Sequence, residues 1–161
     1  MTRLRQAQCE AIATAMNLMP RRLRPLVECD VFCGDPLFAG VHGFETLDDG
    51  RSYRRTAHAC FPYDTTDGRL TVVLPHAIDV YTAVHELGHV LHWNLQQLLG
   101  GWDCLPRLVA VTEYATTNVA EEFAEAFTAW FYPARQVDES PCWLRWSLSN
   151  NEFFDRLAVG W

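Results

Sequence analysis

The stretch from Ile78 to Leu99 constrains this chain more than any other. It carries no proline, keeps one apolar face, and is followed by Gly100-Gly101. That pattern predicts one long helix over 78–99, stopped by the glycine pair. A second strong helix is predicted over Asn118–Tyr132, ending before Pro133. Pro141–Leu148 and Asn150–Val159 read as short helices, with Ser149 or Asn150 as a cap for the last. Upstream of Pro75 the pattern differs. Leu4–Met19 has apolar residues at helical spacing and ends at Pro20, whereas Leu26–Cys33, Tyr53–Phe61 and Arg69–Leu74 read as strands. Gly34–Gly50 holds four of the nine glycines and reads as a loop. The expected fold is α+β: an N-terminal helix, a small mixed sheet, the long helix, then C-terminal helices. With 161 residues, 49% of them hydrophobic, the chain can fill one compact core, so residues 1–161 are expected to form a single domain.

The long helix contains His85-Glu86-Leu87-Gly88-His89, and three of the six histidines fall between positions 85 and 92. Residues four apart on a helix share a face, so the His85 and His89 imidazoles can reach one ion. Glu86 projects beside them, where it can take a proton from a zinc-activated water. Two histidines do not complete a zinc site; a third protein ligand is required. His92 continues the same helix and reads as a surface or packing residue. The longer pattern with Gly and His further along is excluded, because positions 92 and 95 are His92 and Leu95.

The next helix offers a better third ligand. Glu121 and Glu125 lie four apart in an otherwise apolar helix, an arrangement that a cation would neutralise. Glu121 can bind the metal while Glu125, one turn on, accepts the Nδ1 proton of a ligand histidine. The alternative is a solvated acidic face, which Glu122 fits and which Glu121 or Glu125 could fit too.

Charge narrows the partners. Residues 1–69 hold nine arginines and nine acids, and residues 70–161 hold four arginines and eleven acids, so the net charge of −7 lies in the second part. An acidic half argues against nucleic acid as a partner. No segment approaches the ~20 apolar residues of a membrane-spanning helix, and Gln6, Gln8 and Glu10 interrupt any secretory signal. A cytoplasmic location as synthesised is expected, with a phage-encoded or virion-associated setting compatible with it. The six cysteines, at 9, 29, 33, 60, 104 and 142, form no C-x-x-C pair and are expected as buried free thiols.

His85–His89 followed by Tyr114-Ala-Thr-Thr-Asn118-Val-Ala-Glu121-Glu-Phe123-Ala124-Glu125-Ala126-Phe127 resembles the catalytic domain of anthrax lethal factor and related peptidases. The resemblance covers roughly residues 80–131, and two separated motifs agree in spacing and order. It implies a zincin-type metallopeptidase with one Zn2+ per chain held by His85, His89 and Glu121. It further implies Glu86 as general base, Tyr114 as donor to the oxyanion, and Glu125 as the outer carboxylate. A peptide or protein substrate follows from it, with Arg69–Leu74 as the sheet edge on which an extended peptide pairs. Residues 1–70 carry no such resemblance, and delivery or docking functions of the toxin do not transfer. Peptide deformylase, which also uses H-E-x-x-H, needs an upstream Gly-Cys-Leu; here Cys60 sits in Ala-Cys-Phe. The alternative from another class is a catalytically silent structural or adaptor protein that keeps the fold, for example in a phage particle.

Overall fold

The computed structural model describes residues 10–33, 44–46, 52–54, 58–60, 71–74, 79–101, 104–131 and 148–160. They gather into two compact units, Met1–Asn17 with Cys29–Glu86, and Leu18–Glu28 with Leu87–Trp161. Four helices carry the architecture: α1 (Glu10–Leu18), α2 (Val80–Leu99), α3 (Val119–Phe131) and α4 (Leu148–Val159). The division between the units falls within α2, which is continuous across it.

In the first unit, Ile12 and Ala15 of α1 and Ala83 and Val84 at the start of α2 are buried. Backbone ladders here involve segments of three or four residues. Thr71–Leu74 runs parallel to Asp30–Cys33 and antiparallel to His58–Cys60, and Phe44–Thr46 pairs antiparallel with Ser52–Arg54. Thr71–Leu74 is therefore paired on both sides, which corrects the expectation that this segment is a free edge for peptide pairing.

The expected α+β fold is also corrected. The interpretable part of the chain is mostly helical (72%) and built on four helices, with ladders of three or four residues in place of the expected sheet layer. The physical reason lies in length: the described extended segments run three or four residues, against nine to twenty for the helices. Ladders of that length fall short of an ordinary strand of about five or six residues. Leu26 and Val27, expected to open a strand, instead belong to a 3-10 turn, Arg24–Val27, with Pro25 in its first positions. Proline's fixed φ favours the start of a helical turn.

The second unit has an aromatic core. Phe154 of α4 lies 5.4 Å from Phe123, 5.5 Å from Phe127 and 5.5 Å from Trp130, ring centre to ring centre, which seals α3 onto α4. Met19, Leu23, Val27, Leu87, Val90 and Leu91 are buried in the same unit. Asn94 of α2 donates to the Leu26 carbonyl at 2.8 Å.

Helix ends are set by local chemistry. Asp79 Oδ1 accepts the Thr82 N–H at 2.8 Å and caps α2. At the other end Gly100 adopts φ +89° and the Gly101 N–H returns to the Gln96 carbonyl at 2.9 Å, satisfying a terminal acceptor. Asn118 Oδ1 accepts the N–H groups of Ala120 (2.9 Å) and Glu121 (3.0 Å), so Asn118 caps α3, which begins one residue after the expected start. The expected helix over Pro141–Leu148 lies outside the described residues apart from its last position, as does the end of the second strong helix at Tyr132. Among the described residues no helix is long and apolar enough to cross a membrane.

Candidate metal centre

α2 presents His85 and His89 one turn apart, as the four-residue spacing requires. α3 presents Glu121 in its first turn, where the Asn118 cap holds the Glu121 backbone N–H. The positive end of the helix dipole favours a carboxylate at that position. The imidazole nitrogens and the carboxylate oxygen of His85, His89 and Glu121 all lie within 4.8 Å of one another. His89 Nε2 stands 3.3 Å from Glu121 Oε2.

These distances test whether a metal fits. Zinc–nitrogen and zinc–oxygen bonds of about 2.0–2.2 Å place tetrahedral ligand atoms roughly 3.3–3.6 Å apart. The 3.3 Å separation between His89 and Glu121 falls in that range. Two imidazoles and one carboxylate are a donor set that could hold a metal ion.

Glu86, the expected base, follows His85 directly and is buried, with 5% exposure. Glu125 is buried too, at 6%, and its Oε2 accepts the Thr112 hydroxyl at 2.8 Å. A buried carboxylate is costly unless paired, hydrogen-bonded or placed near a cation. Tyr114 opens a 3-10 turn, Tyr114–Thr116, that packs against α3, and it is 55% exposed. The hydroxyl of Thr112 also accepts the Ala115 N–H at 3.0 Å. Thr112 thus joins the Glu125 carboxylate to the turn that carries Tyr114. Nothing local in the sequence announces Thr112; its partner is thirteen residues away on another element.

One neighbour departs from its expected role and one keeps it. Glu122, expected on a solvated acidic face, is 8% exposed and accepts from Arg107 Nη2 (3.0 Å) and the Leu108 N–H (3.1 Å). It ties the segment before the Tyr114 turn to α3. His92 is a packing residue: its ring stacks on Phe123 at 4.7 Å, and Gln96 Nε2 donates to its Nε2 at 3.0 Å. Burial, and secondarily the charge of His89, lower its pKa from the ordinary 6.5 to about 4.

The thiols differ from expectation where they are described. Cys104 is exposed and Cys29 half-buried; the side chains of Cys9, Cys33, Cys60 and Cys142 lie outside the described residues. Comparison with protein-family models, curated proteins and solved structures returned no match.

Proposed function

We propose that this protein is a zinc-dependent endopeptidase, with His85, His89 and Glu121 as the metal ligands. The observation that carries the reading is the convergence of those three donors within 4.8 Å, on two helices, beside a buried glutamate in the H-E-x-x-H order. A zinc ion held by these residues would supply Lewis acidity toward a water and a substrate carbonyl. Glu86 would accept a proton from the attacking water and deliver it to the leaving amine. Tyr114, exposed on its turn, donates a hydrogen bond to the oxyanion as charge develops. Glu125 is the outer carboxylate: through Thr112 it braces the Tyr114 turn, and it lies one helical turn from the ligand Glu121. The substrate class is a peptide or protein.

The test pairs zinc content with hydrolysis of a peptide library by wild type and Glu86→Gln. The reading expects about one zinc per chain in both proteins, with cleavage by wild type and almost none by the variant. Equal cleavage by both would remove Glu86 as the base. Zinc in both without cleavage by either would leave a metal-binding protein without peptidase activity.

A further inference from the structure

We propose that Gly88 is a positioning residue of the metal centre: lacking a Cβ, it lets α2 and α3 approach closely enough for Glu121 to meet His89. The inference rests on the metal reading above and concerns what sets the geometry of that site. Gly88 stands in the middle of α2, between the two histidines. It is absent from the glycines with positive φ, so the backbone there is one that any residue can adopt. Glycine inside a helix also costs stability relative to alanine. What Gly88 contributes is therefore room, not conformational freedom.

The room is on the α3 side. A Cβ at position 88 would lie 3.0 Å from the Ala124 Cα, 3.2 Å from Phe127 Cδ1 and 3.3 Å from the Ala124 Cβ. Carbon atoms ordinarily meet at about 3.5–4.0 Å. The nearest of the three is backbone, which cannot swing aside as the end of a long side chain can. Phe127 is fully buried against Phe154 and cannot yield freely either. α3 itself must then shift by a few tenths of an ångström.

Ala124 lies three residues beyond Glu121, on the same face of α3. A shift that moves Ala124 away from α2 therefore carries the Glu121 carboxylate away from His89, to which it now stands at 3.3 Å. His85 and His89 share α2 with Gly88 and keep their mutual spacing. The substitution should selectively weaken the third ligand.

The experiment uses the full chain and zinc alone as the probe. The zinc dissociation constant of Gly88→Ala is compared with those of wild type, Glu121→Ala and the double variant, and the visible spectrum of each cobalt(II)-substituted protein is recorded. The expected result is a rise of about tenfold or more in the dissociation constant of Gly88→Ala, with a cobalt spectrum moved toward that of Glu121→Ala. Because both substitutions act on the same ligand, Gly88→Ala should add almost nothing in the Glu121→Ala background. If Gly88→Ala alone does not fold, Gly88→Ala/Ala124→Gly takes its place. That pair removes the 3.3 Å contact and keeps the 3.0 Å one, so a smaller loss with the same spectral change is expected. Wild-type affinity and spectrum in the folded variant, or independent effects of the two substitutions, overturn the inference. Failure of wild type itself to bind zinc is a different result and overturns the metal reading instead.

Discussion

Replacing Thr112 with valine tests how the candidate site is braced. The substitution keeps the shape of the side chain and removes its hydroxyl. Two hydrogen bonds go with it: the one to Glu125 Oε2 at 2.8 Å and the one from the Ala115 N–H at 3.0 Å. Glu125 and Ala115 are both buried, so water cannot freely replace the lost partner. A hydrogen bond to a charged group contributes about 1.5–3 kcal/mol, and leaving a buried N–H unmade costs about 1–3 kcal/mol. Allowing for partial relaxation, Thr112→Val should destabilise the fold by roughly 3 kcal/mol, toward the low end of the summed range of about 2.5–6 kcal/mol. For a chain of this size that corresponds to a fall of roughly 6–12 °C in Tm. Urea unfolding gives the free energy and a thermal scan the Tm. Thr112→Ser retains both bonds and should stay within about 1 kcal/mol of wild type, which separates the hydroxyl from packing. A valine variant within 1 kcal/mol of wild type, or a serine variant as damaged as the valine one, would refute this account of Thr112.

Glu121→Ala, His85→Ala and His89→Ala should each strip zinc from the purified protein, as measured by metal analysis; full retention in Glu121→Ala would move the third ligand elsewhere. Tyr114→Phe should lower kcat on the order of 10²–10³-fold against a cleaved peptide, with zinc content and Tm unchanged. A fall below roughly threefold would make Tyr114 an ordinary packed aromatic. In the metal-free protein, His92 adds a pH dependence to stability. Its folded pKa, about 4, lies below the ordinary 6.5, so the unfolded chain takes up the proton first as pH falls. The stabilisation is complete above 6.5 and is lost progressively between 6.5 and about 4, to the extent of roughly 3 kcal/mol. His92→Phe should remove that part of the slope in urea unfolding across this range, and an unchanged slope would show that other groups produce it.

The parts of this molecule that were legible in the sequence are the ones governed by short spacings. The four-residue interval between His85 and His89 needs only a helix, and the run from Ile78 to the glycine pair announces one; the structure places it at Val80–Leu99. Glu121 is less legible: an apolar helix that carries both Glu121 and Glu125 invites a cation, but only the family resemblance singles out Glu121. What escaped depends on chain segments far apart in sequence. Glu122 looks like a solvated residue until Arg107 and Leu108 are seen to close over it. Asn150 was read as a cap, yet it lies inside α4 and is fully buried. Its amide group accepts the Val109 N–H and donates to the Val109 carbonyl, both at 2.9 Å and forty-one residues away. The expectation of an α+β domain failed on the same ground. β-prone runs are visible, but the described segments pair over only three or four residues, and the described chain is mostly helical. Gly88 lay in plain sight within the motif; its role appears only once Ala124 is seen against it.

X-ray absorption at the zinc edge of the purified, zinc-loaded protein tests the central claim most directly. The account predicts one zinc per chain, nitrogen and oxygen neighbours at about 2.0–2.2 Å, and the outer scattering of two imidazole rings. A sulfur neighbour at about 2.3 Å would place cysteine at the metal. That result, or a protein that holds no stoichiometric zinc, would contradict the assignment of His85, His89 and Glu121.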